Sequence, residues 1–163
     1  VPNAGIAELA ESLDLSAFDR QWAVNGAGAL NTLAALRDAL ATPSSVVFIS
    51  SFLTRSTFPG LAAYIASKAA LSAQARTLAV EFAPLGVRIN LVSPGPTATA
   101  IWGTLGLSDE QLDEVADSVT RRLLPGHFLD AAAVASVILF QLSAGARGVY
   151  GQDWVVDNGY GLS

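Results

Sequence analysis

Three short apolar runs, at 46–49, 87–92 and 154–156, are separated by long stretches rich in alanine and leucine. The spacing predicts strands at these runs and helices over 18–41, 61–82 and 130–142. Strands alternating with helices predict an α/β domain, a doubly wound parallel sheet covered on both faces. The strand runs are near-continuously hydrophobic, as strands buried on both faces require. Val1 reads as the last residue of a further strand. In the helix from Leu61, residues Tyr64, Lys68, Leu71, Ala75, Leu78 and Phe82 recur at steps of four and three and so share one face. Its other sides carry alanines, which predicts burial around most of the circumference, with a second subunit covering part of it. Ser108-Asp-Glu-Gln111 has the spacing of a capping box and opens an acidic amphipathic helix. The carboxylates of that helix read as a solvated face.

Composition narrows the picture. The chain has 163 residues, is 52% hydrophobic and 14% charged, and carries a net charge of −5. That is enough for one domain with a sizeable core. The negative balance argues against nucleic acid, which needs a basic patch. The longest apolar run, 131–140, is too short to span a bilayer, so no membrane partner is expected. There is no cysteine and a single histidine, His127. Disulfides and thiol chemistry are excluded, and no metal site is expected from the scattered carboxylates that remain. A cytoplasmic location is expected.

Candidate chemistry gathers around Tyr64. Lys68 is the only lysine and stands one helical turn beyond it. An ammonium beside a phenol favours the phenolate, which would bring the Tyr64 pKa below its ordinary value and make it a proton donor and acceptor. Ser51, thirteen residues upstream, offers a hydroxyl to the same substrate oxygen. In open parallel sheets, ligands bind beyond the carboxyl ends of the strands. Those ends here carry Ser50-Ser51, the turn Pro94-Gly95-Pro96-Thr97 with Thr99, and Asn3-Ala4-Gly5 after Val1. Such small and hydroxyl residues let a ligand approach the backbone closely. Asn25 lies mid-helix on an apolar face. Either it bonds local backbone, or it holds a water or an ammonium in place.

Together these residues resemble the short-chain dehydrogenase/reductase family, over almost the whole chain. Asn3-Ala4-Gly5 is similar to the family's Asn-Asn-Ala-Gly, with Pro2 in place of the first Asn. Asn25 resembles its helix asparagine, and Ser51, Tyr64 and Lys68 fit Ser-x12-Tyr-x3-Lys. Pro94, Gly95, Thr97 and Thr99 resemble the segment that holds the nicotinamide carboxamide. The run from Gly151 to Gly159 resembles the last strand, where Asp-Gly-Gly is more usual than Asp157-Asn158-Gly159. His127 stands where an arginine is frequent and reads as structural.

The resemblance implies a Rossmann-like fold and NAD or NADP as cofactor. It implies hydride transfer between the nicotinamide and a small-molecule ketone or secondary alcohol. Tyr64 would be the general acid/base and Ser51 the second donor to the substrate oxygen. Lys68 would bond the nicotinamide ribose, and Asn25 would hold a relay water. Asn3, Ala4, Gly5, Tyr64, Lys68, Pro94, Gly95, Thr97 and Thr99 would contact the cofactor. No glycine-rich pyrophosphate turn precedes Asn3. Residues 1–163 therefore read as the C-terminal part of a single domain, from the end of its fourth strand, within a longer native polypeptide. A catalytically decayed binding or assembly module of the same fold is the alternative.

An apolar lid is expected from Ile101, Trp102, Leu105 and Leu107, and from Phe52, Leu53 and Phe58, which points to an apolar or ring-bearing substrate. A homotetramer is expected, or else a homodimer, with Trp154 and the tail Tyr160–Ser163 buried at an interface.

Overall fold

β1 (Ser44–Ile49), β2 (Val87–Pro94) and β3 (Asp153–Val156) form a parallel sheet in the order β1-β2-β3. The register sets Val46 beside Ile89 and Phe48 beside Leu91, then Val92 beside Trp154. This is a computed structural model, and it describes residues 1–11 and 13–162. Side chains alternate across the sheet. Phe48, Ile89 and Leu91 face Leu33, Leu71 and Ala75 on one side, whereas Val47 and Val92 face Leu129 and Val134 on the other. β2 is central and buried along all but its last residue, as a strand covered on both faces must be.

The helices are α1 (Leu15–Trp22), α2 (Ala29–Leu36), α3 (Ala62–Phe82), α4 (Asp109–Thr120) and α5 (Ala131–Leu142). α3 packs on the first face of the sheet and α5 on the second. Because the strands are parallel, Ser50-Ser51, Pro94-Gly95 and Asp157 emerge on one sheet edge. Gly95 can take no other side chain there: a Cβ would lie 2.5 Å from the Asp157 Cα. The glycine lets the ends of β2 and β3 close together.

The expected long helix over 18–41 exists, with three differences, the first that its regular part ends at Leu36 and passes into a 3₁₀ turn over Arg37–Ala39. It starts earlier, because Asp14 caps it by accepting from Ser16 N and Ala17 N. It is also not regular: residues Ala23–Gly28 form a π-helical segment between α1 and α2. The ring of Trp22 lies over Gly26, where a Cβ would come within 2.0 Å of it. Val1 ends no strand. Residues 1–10 make no ladder, and their backbone turns instead to side chains: Ile6 N bonds Asn25 and Ala7 N bonds Thr104.

The capping box forms as its spacing predicts, with Ser108 Oγ accepting from Gln111 N and Gln111 Oε1 accepting from Ser108 N. Asp109, Glu110, Asp113, Glu114 and Asp117 are exposed. On α3, the face from Tyr64 to Phe82 is buried as expected, Leu78 only partly. Burial around most of the circumference is not what this chain achieves by itself. Ala62, Ala66, Ala69, Ala73, Thr77 and Val80 form an exposed outer strip, because the sheet and α1 cover only the opposite sides.

The expectation for the C-terminal tail divides. Ser163 lies outside the described residues, and Leu162 is exposed. Tyr160 is buried within this chain, 5% exposed, with its ring edge-on to Phe52 at 4.9 Å. It is therefore spent on an internal contact and is not free for an interface. Trp154 is half-buried and stacks on Phe140 at 5.5 Å. His127 is exposed and local: its Nδ1 lies 2.8 Å from the Phe128 carbonyl, and its own carbonyl accepts from Asn158 Nδ2. Among the described residues no helix is long and apolar enough to cross a membrane.

Candidate active site

Helical periodicity points Tyr64 and Lys68 the same way, and the turn after β1 brings Ser51 to them. Ser51 caps the short 3₁₀ turn Phe52–Arg55, its Oγ accepting from Leu53 N at 3.3 Å. With a lone pair so used, its O–H remains to donate. Ser51, Tyr64 and Lys68 are all buried and line one cavity of about 670 Å³. Asn3, Ala4 and Gly5 line the same cavity, as do Pro94, Gly95, Thr97 and Thr99. All the predicted site residues but Asn25 thus meet on one wall system.

Asn25 stands just behind. Its side chain spans two elements: Oδ1 accepts from Ile6 N at 2.9 Å, and Nδ2 donates to Ile6 O and to Ser67 Oγ, each at 3.0 Å. Backbone is its main partner, but not local backbone. The segment it holds is the one that carries Asn3–Gly5. The π-helical segment contains Asn25, and π-bulges inside helices recur at functional sites. A Cβ on Gly5 would lie 3.3 Å from Asn25 Oδ1 and 3.6 Å from Lys68 Nζ. The glycine therefore leaves open the space that the amide oxygen and the ammonium flank.

Electrostatics correct one expectation. Burial pushes the Tyr64 pKa above its ordinary 10.0, and only the Ser51 hydroxyl pulls it back. The Lys68 ammonium does not bring it down in this chain. Desolvation is the leading cause, and it acts on Lys68 as well, lowering its pKa from 10.5 to about 8. Lys68 Nζ donates to the Ile49 carbonyl at 2.9 Å at the end of β1. The remaining donors of the ammonium have the chemistry to bind a pair of ribose hydroxyls beside the Tyr64 phenol. The residues present therefore fit the nicotinamide-ribose end of a dinucleotide, with Asn3–Gly5 and the Pro94–Thr99 turn flanking it.

Several residues that sequence reasoning missed hold this geometry. Ser67 donates to the Tyr64 carbonyl at 2.7 Å while accepting from Asn25. Ser72 donates to the Lys68 carbonyl at 2.9 Å and lies 2.6 Å from Ser50. A buried serine inside an otherwise alanine-rich helix was the available signal. Trp102 Nε1 donates to Thr97 O, and Thr104 Oγ1 accepts from Ala7 N. The first bond closes the turn after Gly95 on itself, and the second ties the segment after Thr99 to the one that carries Asn3–Gly5. The expected lid residues all line the cavity, Ile101, Trp102, Leu105 and Leu107 from one side and Phe52, Leu53 and Phe58 from another. They are packed core as well, around Tyr64.

This arrangement, a buried serine, tyrosine and lysine at the strand ends of a parallel sheet, has known counterparts. The enoyl-(acyl carrier protein) reductase family model matches residues 1–161. The chain belongs to the short-chain dehydrogenase/reductase family. It is 31% identical to carbonyl reductase [NADPH] 2 of Sus scrofa over 98% of its length, and 34% identical to 2,3-dihydro-2,3-dihydroxybenzoate dehydrogenase of Escherichia coli over 96%. The angucycline C-6 ketoreductase LanV, solved with bound NADP, superposes with a TM-score of 0.87 at 26% identity over 99% of this chain. The chain spans 66% of the length of either relative and 62% of the ketoreductase chain.

Proposed function

We propose that the protein carrying this chain is a nicotinamide-dependent oxidoreductase acting on a ketone or secondary alcohol, with Tyr64 as general acid/base. The observation that carries this reading is the burial of Ser51, Tyr64 and Lys68 on the wall of one cavity. NAD or NADP, when bound, supplies or accepts the hydride. Asn3–Gly5, Lys68 and the Pro94–Thr99 turn hold its nicotinamide end. The Tyr64 hydroxyl gives its proton to the substrate oxygen as negative charge develops there. The Ser51 O–H donates to the same oxygen and fixes its position. A phenol whose pKa burial has raised is protonated at neutral pH, as a donor in the reducing direction must be. Asn25, through Ile6 and Ser67, keeps the flanking segments in register.

A binding module that had lost turnover would have no need for this set of buried, mutually supported polar side chains. The test follows the reducing equivalent. Ketone reduced by the native protein with a dihydronicotinamide cofactor that carries two deuterons at C4 should carry deuterium on the carbinol carbon. Product without label, under conditions where the ketone is consumed, would sink the reading.

The same reading extends to assembly. The exposed outer strip of α3, together with Leu139 and Phe140 on α5, supports a homotetramer, or a homodimer at the least. Sedimentation of the native protein at micromolar concentration should give one of these two masses, and a clean monomer refutes the assembly.

A further inference from the structure

The cavity has a second end, away from the nicotinamide side, built from residues 51–61, 101–119 and Tyr160. Two apolar clusters meet there. One surrounds Tyr64, and the other holds Val119, Leu123 and Tyr160; Phe52 and Trp102 pack against both. These two rings therefore link the packing around Tyr64 to the distal wall. Tyr160 closes that wall. Its ring meets Phe52 edge-on, the Arg122 guanidinium covers it at 4.0 Å from the centroid, and Arg122 Nη1 donates to its hydroxyl at 2.9 Å.

The polar atoms of this end are few, and most are already engaged. Thr104 Oγ1 is shared among Ala7 and Ile101 backbone groups, and Trp102 Nε1 is used on Thr97 O. Ser51 and Tyr64 are left to serve a single oxygen. Lys68 is the one charged side chain among the described residues that line the cavity, and it stands at the nicotinamide side.

We infer that the substrate is an uncharged, ring-bearing apolar ketone or alcohol with one polar oxygen, and that Tyr160 is the specificity-determining residue at its far end. This rests on the oxidoreductase reading. A sugar or polyol would bury hydroxyls without partners, each weakening its transition state by roughly ten- to a hundredfold. A keto acid would bury a carboxylate with no cation facing it. A fused or substituted ring instead packs against the Phe52 and Trp102 side chains that line the cavity and ends against Tyr160.

The experiment compares tetralone, glucose and pyruvate as substrates of the native protein with either nicotinamide cofactor, the sugar as reductant and the ketones as oxidants. The expected result is a kcat/KM for tetralone at least ~10²-fold above the other two. Tyr160→Ala should raise KM for tetralone about tenfold with kcat retained, since the contact is made equally in ground and transition states, and Tyr160→Phe should change it little. Should Tyr160→Ala not fold, Phe52→Leu probes the facing wall in the same way. Turnover of glucose or pyruvate within tenfold of tetralone, still lost in Tyr64→Phe, overturns the substrate assignment and leaves the oxidoreductase standing. No turnover of any of the three counts against the oxidoreductase. Naphthol binding, read by Trp102 fluorescence against a Trp102→Phe control, then judges the pocket alone. A saturable change supports the ring-binding slot, and no change overturns it.

Discussion

The two walls of the cavity are built on opposite principles. The wall proposed to be catalytic is polar and buried: Ser51, Tyr64 and Lys68 line the cavity from a strand end and a helix, Asn25 stands just behind them, and Ser67 and Ser72 bond the carbonyls of Tyr64 and Lys68. The substrate wall is apolar and is carried by short turns, 52–55 and 100–104, with α4 and Tyr160 behind them. Proton transfer demands fixed donor geometry, and a buried hydrogen-bond network on rigid elements supplies it. Recognition of an apolar ring demands area and shape, which turns can vary without disturbing the chemistry.

The largest effect should come from the polar wall. Tyr64→Phe removes one oxygen and leaves the packing, so kcat should fall by at least about 10²–10⁴-fold for every substrate. Leu107→Ala, on the apolar wall, should raise KM several-fold and leave kcat near its original value, because its contact is the same before and during reaction. Steady-state kinetics of both variants measures the contrast. A kcat loss in Leu107→Ala as large as in Tyr64→Phe would erase the distinction between the walls.

A smaller effect concerns what burying the lysine costs. Burial lowers the Lys68 pKa from its ordinary 10.5 to about 8. Between these values the unfolded chain binds more protons than the folded one, so folding stability rises with pH through that window. The raised Tyr64 pKa works the other way and only above 10, where the unfolded phenol ionises first. Since Lys68 is the only lysine, Lys68→Met isolates its contribution. Urea unfolding at neutral pH and at about pH 9.5 should show the variant's stability depending less steeply on pH than the parent's. Equal slopes would mean that the ammonium is solvated and the polar wall wetter than its burial indicates.

Much of this was legible in the sequence because it is local. The period of four and three placed Tyr64, Lys68 and Leu71 on one face of α3, and the serine and glutamine of 108–111 formed their box. The apolar runs became parallel strands because nothing but burial on both sides suits them. Parallel strands in turn carried Ser51, Gly95 and Asp157 to one edge. The resemblance in motif order then named the residues that line the cavity.

What the sequence alone did not decide depends on contacts between distant segments. From the sequence, Asn25 reads either as bonding local backbone or as holding a water or an ammonium; only tertiary packing set it against Ile6, nineteen residues back, from within a π-helical segment. The direction of the Tyr64 shift follows from how much water its surroundings exclude, and the Tyr-Lys spacing carries no information about that. Tyr160 looked free for an interface until the chain's own turn at Phe52 and the Arg122 side chain closed over it. Periodicity fixes which side chains share a face, since that is backbone geometry. Desolvation and long-range partners are properties of the assembled core, and only the tertiary structure decides them.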